Sequence, residues 1–279
     1  MVWVRRLLSA VLVGACVAWL TFGGHQWTQR LLHAAKPGVT LEGHLVTGML
    51  AHELETLVRA LAAGVERVPR DAAVERSTGR IIPDLPGLAV DVRATVSLVL
   101  QAGPGTGCQL VVFDVPPRFT TADVSSLTRT LGAYATIIAG TPERRSNIRL
   151  AASLLDNTLL YPGQAFSFNF AIGPVTESRG FQEAPVIVGE ELVPGVGGGI
   201  CQVSTTLFNA AVAAGLAVLE RHGHSQPVSY VPEGRDATVA QYYKDLKLRN
   251  TTGRPVLIRA GSDGHRVWFT VLGPAQAGP

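Results

Sequence analysis

The sequence predicts an α+β protein: an N-terminal membrane segment, a small α+β module, and a larger domain in which a cysteine-bearing helix packs on a mainly antiparallel sheet. Three observations carry this expectation. An apolar run follows an arginine pair near the start of the chain. A glycine-rich loop, Gly195-Val-Gly-Gly-Gly199, leads into Ile200-Cys201 and an alanine-rich stretch with helical spacing. The last third is rich in β-branched and aromatic residues, separated by Gly, Pro and Asn turns. Of the 279 residues, 47% are hydrophobic and 16% charged, enough apolar material for a sizeable core and too much for wholesale disorder. The net charge is only +3 and no basic block stands out, so nucleic acid is not an expected partner.

The elements follow in chain order. Arg5-Arg6 precede an apolar run from Leu7 to about Gly24, near the lower length limit of a membrane span. The arginines would stay cytoplasmic, so this reads as a retained signal anchor with the bulk of the chain outside the cell membrane. Val13-Gly-Ala-Cys16 loosely resembles a lipoprotein cleavage box, but the apolar run continues past it through Trp19-Leu20. Residues 1–36 are therefore assigned to the anchor and a linker, 37–118 to the small module and 119–279 to the larger domain. In the module, Thr47 to Ala63 has helical spacing, with Leu50, Leu54, Leu57, Val58 and Leu61 on one face and Thr47 as its expected N-cap. Ala89 to Leu100 mixes strand and helix signals, and Gln109 to Val115 reads as a strand stopped by Pro116-Pro117. Asp71, Asp84 and Asp91 read as solvated loop carboxylates.

In the larger domain, Thr120 to Thr128 reads as a linker or short helix. Arg144 to Leu160 has helical spacing at Ile148, Ala151, Leu155 and Leu159. Pro162 to Asn169 reads as a turn and short strand, and Pro185 to Gly189 as a strand. The helix after Cys201 carries Val203, Leu207 and Ala210, with Gly215 as its stop. Five strands are expected beyond it: Pro227–Val231, Ala237–Tyr243, Asp245–Arg249, Pro255–Arg259 and Arg266–Val271, with hairpin turns at Asn250–Arg254 and Ser262–His265.

The chemistry gathers on Cys201. At a helix N-terminus the dipole and the free amides favour thiolate over thiol. His222, His224 and Asp236 follow downstream, in the order nucleophile, base, orienting carboxylate. The spacing does not decide which histidine is the base. The same two histidines with Asp236 would also suit a metal, but the thiol reading needs no metal and no cofactor. Gln202, or the loop amides at Gly198 and Gly199, are candidate oxyanion donors. The three cysteines, Cys16, Cys108 and Cys201, do not form a disulfide framework.

Several strings carry a resemblance: Arg145-Ser-Asn-Ile148, Pro162-Gly-Gln-Ala-Phe-Ser-Phe-Asn169, Gly197-Gly-Gly-Ile-Cys-Gln-Val-Ser-Thr-Thr206, Glu220-Arg-His-Gly-His-Ser225, Gly234-Arg-Asp-Ala-Thr-Val239 and Asp245-Leu-Lys-Leu-Arg-Asn250. Together they resemble the VanW family over about Leu131 to Gly273. More loosely, Gly79-Arg-Ile-Ile-Pro83 and Gly87-Leu-Ala-Val-Asp91 resemble the peptidoglycan-binding module that often precedes such domains. The resemblance implies a cell-wall protein acting on peptidoglycan stem peptides, as a cysteine-dependent L,D-transpeptidase forming 3,3-cross-links through a thioester on Cys201. It implies His224 as base and Asp236 as its partner. Substrate contacts are expected from Gly198, Gly199, Gln202, Ser204, Thr205, Arg145, Asn147 and Arg221. A cysteine carboxypeptidase or endopeptidase, and a non-catalytic peptidoglycan-binding accessory protein linked to glycopeptide resistance, are the alternatives.

Overall fold

A computed structural model describes residues 30, 32–188 and 191–275, so the expected N-terminal anchor lies outside the described residues. No helix among the described residues is long and apolar enough to cross a membrane. The chain divides into two compact units, one built from residues up to Arg70 and from Leu85–Pro117, the other from Asp71–Asp84 and from Arg118 onward.

In the first unit, β1 (Thr40–Leu41) pairs antiparallel with β2 (His44–Leu45). Helix α1 (Ala51–Ala62) buries Leu54, Val58 and Ala62 along one stripe, each four residues after the last. The helix starts later than Thr47 because the Glu53 carboxylate accepts from the Leu50 amide at 2.7 Å and closes the first turn there. Thr47 instead accepts from the Gly38 amide at 2.9 Å. The chain then supplies the hairpin β3 (Ala73–Val74) and β4 (Ile81–Ile82) to the second unit. It returns as β5 (Gly87–Val90) and α2 (Val92–Gln101), which Asp91 caps through the Ala94 amide at 2.8 Å. Strand β6 (Gly107–Cys108) runs parallel to β1, and β7 (Val112–Val115) antiparallel to β5. Asp71 and Asp84 are not simply solvated either: Asp71 accepts from the Phe119 amide, and Asp84 from the amide and hydroxyl of Thr121.

The second unit opens with α3 (Thr121–Ser125), capped by Thr120, and β8 (Leu127–Ile137). Helix α4 (Pro142–Leu155) has Thr141 as N-cap and proline at its first position, where no amide is needed. Then come β9 (Thr158–Leu160), β10 (Ala165–Ser167), the short α5 (Phe168–Ile172) and the hairpin of β11 (Glu183–Val188) with β12 (Glu191–Val196). Helix α6 (Ile200–Ala213) carries Cys201. Strands β13 (Ala217–Glu220), β14 (Lys247–Arg249), β15 (Val256–Ser262) and β16 (Arg266–Pro274) follow.

The central antiparallel sheet has the order β8-β16-β15-β9. Along β16, Val267, Phe269 and Val271 are buried while Trp268 is exposed, the period-two pattern of a strand covered on one face. They share a core with Ile148 and Leu155 of α4 and with Val203, Leu207 and Ala210 of α6. Each fully buried Leu or Phe there contributes about 1.5–3 kcal/mol. Helix and strand come unusually close at Gly132: a Cβ there would lie 2.4 Å from the Ala214 nitrogen and 2.5 Å from the Ala210 oxygen. A smaller sheet, β10-β14-β13, buries Phe166 against Leu248.

The structure corrects several expected elements. Strand β8 and the second arm of the β11–β12 hairpin were not expected. Pro227–Val231 and Ala237–Tyr243 are not strands; only isolated bridges form there, His222 with Thr238 and Ala240 with Lys244. Between them, side chains of α6 take the Arg235 carbonyl and the Ala237 amide and carbonyl. Nor is Asn250–Arg254 a hairpin turn, since β14 and β15 belong to different sheets. Asn250 is fully buried and its amide ties Leu160 O to Arg254 O, at 2.8 and 2.7 Å.

Candidate active site

The glycine loop is set by two constraints. Gly199 is the N-cap of α6 at φ +108°, and a Cβ there would lie 2.8 Å from Ile148 Cγ1, so no side chain is accommodated. Asn147, fully buried on α4, donates to Gly198 O at 3.1 Å and Gln182 O at 2.9 Å and accepts from the Gln182 amide at 2.7 Å. Asn147 thus stitches helix, hairpin base and loop together. Cys201 then falls at the second residue of α6. The Ile200 amide donates to Gly197 O and the Gln202 amide to Gly199 O, whereas the Cys201 amide has no acceptor among the described residues. The thiol is half-buried and lines a cleft of about 530 Å³ with Arg144, His224, Tyr230, Thr238 and the hairpin residues Pro185, Val186 and Val196.

The segment after β13 crosses over the start of α6 and is held by that helix. Ser204 Oγ donates to Ala237 O at 2.5 Å, Thr205 Oγ1 accepts from the Ala237 amide at 2.9 Å, and Asn209 donates to Arg235 O at 2.8 Å. These bonds place Asp236 and Thr238 on either side of a fixed point. The Asp236 carboxylate accepts from His224 twice, from its backbone amide and from ring Nδ1, both at 2.6 Å. With Nδ1 committed to Asp236, the remaining ring nitrogen, Nε2, is left for Cys201, which lines the same cleft as His224. Thr238 Oγ1 and Val239 O lie 3.4 Å from the sulfur. The His224 side chain is only 6% exposed, so water competes little for either bond.

The electrostatics follow from this packing. Burial pushes the Cys201 thiol up, but the interactions with His224 and Thr238 outweigh it and hold the thiol below its ordinary value. Burial likewise depresses the His224 imidazole, and its bonds to Cys201 and Asp236 reverse that, leaving it raised. Asp236 is lowered, with burial opposing and the two His224 bonds prevailing. The three shifts favour a thiolate–imidazolium pair with the carboxylate behind it. Tyr230 stands edge-on to His224, with ring centroids 6.5 Å apart, and burial pushes its phenol up.

The structure brings Cys201, His224 and Asp236 together and leaves His222 apart. The His222 ring bonds Glu220 Oε1 at 3.0 Å, and only its backbone carbonyl reaches the site segment, accepting from Thr238. His222, His224 and Asp236 therefore do not converge, and no group of three metal-ligating side chains occurs among the described residues. Gln202 lines the cleft yet is 1% exposed; its amide nitrogen donates to Thr136 Oγ1 and Ile137 O, so both its hydrogens are committed. Ser204 and Thr205 are fully buried clamps on Ala237. Arg221 binds Asp236, and Arg145 reaches only Gly140 O, at 3.4 Å. The arginine in the cleft is Arg144, which donates to Gln202 Oε1 at 2.9 Å and Ala139 O at 2.8 Å. Its position was legible: Arg144 precedes Ile148 by four residues and shares the inward face of α4, whereas Arg145 does not. Tyr230 and Thr238 carried no signal in the sequence, because only the crossing segment brings them to the sulfur.

Residues 143–272 match the family model described as VanW like protein. That stretch of the chain is similar to the VanW family. It is 46% identical over 145 residues to the uncharacterized protein YoaR of Bacillus subtilis, covering 52% of this chain and 48% of the relative. It is 32% identical over 135 residues to the vancomycin B-type resistance protein VanW of Enterococcus faecalis, covering 47% and 49%. The chain thus spans about half the length of these curated relatives. No solved structure matches it. The VanW-like region contains the whole Cys201, His224 and Asp236 constellation.

Proposed function

We propose that this chain belongs to the VanW family and is a cysteine acyltransferase of the cell wall, an L,D-transpeptidase acting on peptidoglycan stem peptides. The observation that carries the reading is that Cys201 and His224 line one cleft, with the His224 ring held by the Asp236 carboxylate. In the reaction, the Cys201 thiolate attacks the carbonyl of the third stem residue. The amide to the terminal D-residue breaks as His224 hands its proton to the leaving amine. The amine of a neighbouring stem then attacks the thioester, the C–S bond breaks, and His224 takes the proton of the incoming amine. The Cys201 amide, in the first turn of α6, is the donor we assign to the oxyanion. Arg144 keeps guanidinium N–H groups beyond its two bonds, and these suit a substrate carboxylate. The resistance named in one relative, and the apolar run behind Arg5-Arg6, favour a membrane-anchored, extracytoplasmic setting.

The test is to incubate purified protein with disaccharide-tetrapeptides and resolve the products by mass spectrometry. Dimers carrying 3,3-links, absent with Cys201→Ala, support the reading. Tripeptide without dimers assigns the second step to water, making the protein a carboxypeptidase. The same products from Cys201→Ala would overturn the thioester route.

A further inference from the structure

Beside the cleft lies a second, open hollow of about 560 Å³ lined by Phe170, Tyr242 and Tyr243. These rings are 89%, 88% and 85% exposed, while the next most exposed aromatic among the described residues, Phe113, is at 52%. Single exposed apolar side chains are ordinary, but three large rings in one hollow are not. Asn169, Gly173, Gln241 and Lys244 line both this hollow and the Cys201 cleft, so the two are continuous.

The platform is built rigidly. Asn169 Nδ2 donates to Lys244 O at 2.9 Å, and the amides of Tyr243 and Lys244 both donate to Ala240 O at 3.0 Å. The Asp245 carboxylate anchors the other side, accepting from Ser167 Oγ at 2.5 Å and the Asn169 amide at 3.0 Å. Tyr242 sits at φ +71°, a left-handed backbone that a bulky residue adopts only at a cost. A strained turn that presents two adjacent tyrosines to water has no packing rationale, since neither ring reaches the core. Phe170 sits on the solvent side of α5, whose Phe168 and Ile172 are buried.

We infer that this hollow is a saccharide subsite, in which Phe170, Tyr242 and Tyr243 stack against the pyranose rings of a glycan strand whose attached peptide enters the Cys201 cleft. The identification with a glycan of the same polymer rests on the function proposed above. Aromatic faces suit the apolar C–H faces of sugar rings, and tyrosine hydroxyls add a hydrogen-bonding edge. The charged residues of this hollow balance, Lys244 and Lys247 against Glu220 and Asp245 with Lys247 paired to Glu220 at 2.8 Å, which favours an uncharged ligand over a polyanion or an anionic bilayer.

The test titrates the full chain with a hexamer of β-1,4-linked N-acetylglucosamine by calorimetry. Wild type and Cys201→Ala should bind alike. Phe170→Ala and the double variant Tyr242→Ala/Tyr243→Ala should each weaken binding about tenfold or more. Tyr242→Gly is the sharper probe: it should lose binding while the melting temperature stays the same or rises, because glycine relieves the left-handed backbone. Equal binding by wild type and the aromatic variants, or no binding by wild type, would overturn the subsite. So would variants that lose affinity for anionic vesicles or free tetrapeptide but not for the hexamer. The two proposals fail separately: hexamer binding without turnover removes only the transpeptidase, and turnover without hexamer binding removes only the subsite.

Discussion

Arg221 grips Asp236 by both its backbone and its carboxylate: Nε donates to the carbonyl at 2.5 Å and Nη2 to Oδ1 at 3.1 Å. The same guanidinium covers the Phe208 ring at 5.0 Å and donates to Gly234 O. Oδ2 is thereby left to His224. Arg221 thus positions the carboxylate.

Arg221→Ala should slow iodoacetamide labelling of Cys201 about tenfold, the scale of one lost charge-assisted hydrogen bond. Arg221→Lys should not restore the rate, because an ammonium cannot bridge a carbonyl and a carboxylate in one plane. A labelling rate equal to wild type in Arg221→Ala would remove this role.

The pH dependence of the site has a defined sign. Thiolate forms as pH rises through the lowered Cys201 value, and imidazolium is lost as pH rises through the raised His224 value. The ion pair therefore occupies a window between the two, and turnover should be bell-shaped. Labelling of wild type should reach its midpoint below the ordinary thiol range. Asp236→Asn removes the charge that supports the imidazolium, so its midpoint should move to higher pH. An unchanged profile in that variant would break the link between Asp236 and the thiol.

Gly199→Ala should destabilise the protein by about 1–3 kcal/mol, because it combines a left-handed backbone with a contact 2.8 Å from Ile148 Cγ1. Denaturant unfolding would measure it. The loss should exceed that of Gly163→Ala, which has a similar positive φ but open space around it.

Glu220 holds Lys247, His222 and the Asp245 amide, and these partners pull its carboxyl down to about 2. A depressed carboxylate stabilises the fold above its ordinary value of 4.5, and this contribution fades as pH falls towards about 2. Glu220→Gln should therefore lower the melting temperature at neutral pH, with the gap to wild type closing near pH 2. A gap that is constant with pH would show that charge plays no part there.

Much of the scaffold could be read from local pattern. The apolar stripes of α1, α4 and α6 and the alternation in β15 and β16 announce their buried faces, because burial imposes a period on the chain. Strand β8 escaped notice, since Thr, Arg and Gly interrupt its apolar positions and Gly132 is there for the close approach of α6. The stretch from Pro227 to Tyr243 differs for the opposite reason: β-branched and aromatic residues suggest strands, but the backbone of Arg235 and Ala237 bonds to side chains of α6 and not to a neighbouring strand.

What the sequence determined by itself was the candidate thiol and its setting: four glycines ahead of Cys201 place it at a helix start, where free amides and the dipole act on it. It also supplied the carboxylate and two histidines in a suitable order. Only the tertiary structure decided between those histidines. Residues 222 and 224 are equivalent in spacing, but Ser204, Thr205 and Asn209 pin the crossing segment so that Asp236 meets the His224 amide and ring, while Glu220 takes His222. That choice depends on hydrogen bonds between residues tens of positions apart, and such bonds leave no period in the chain.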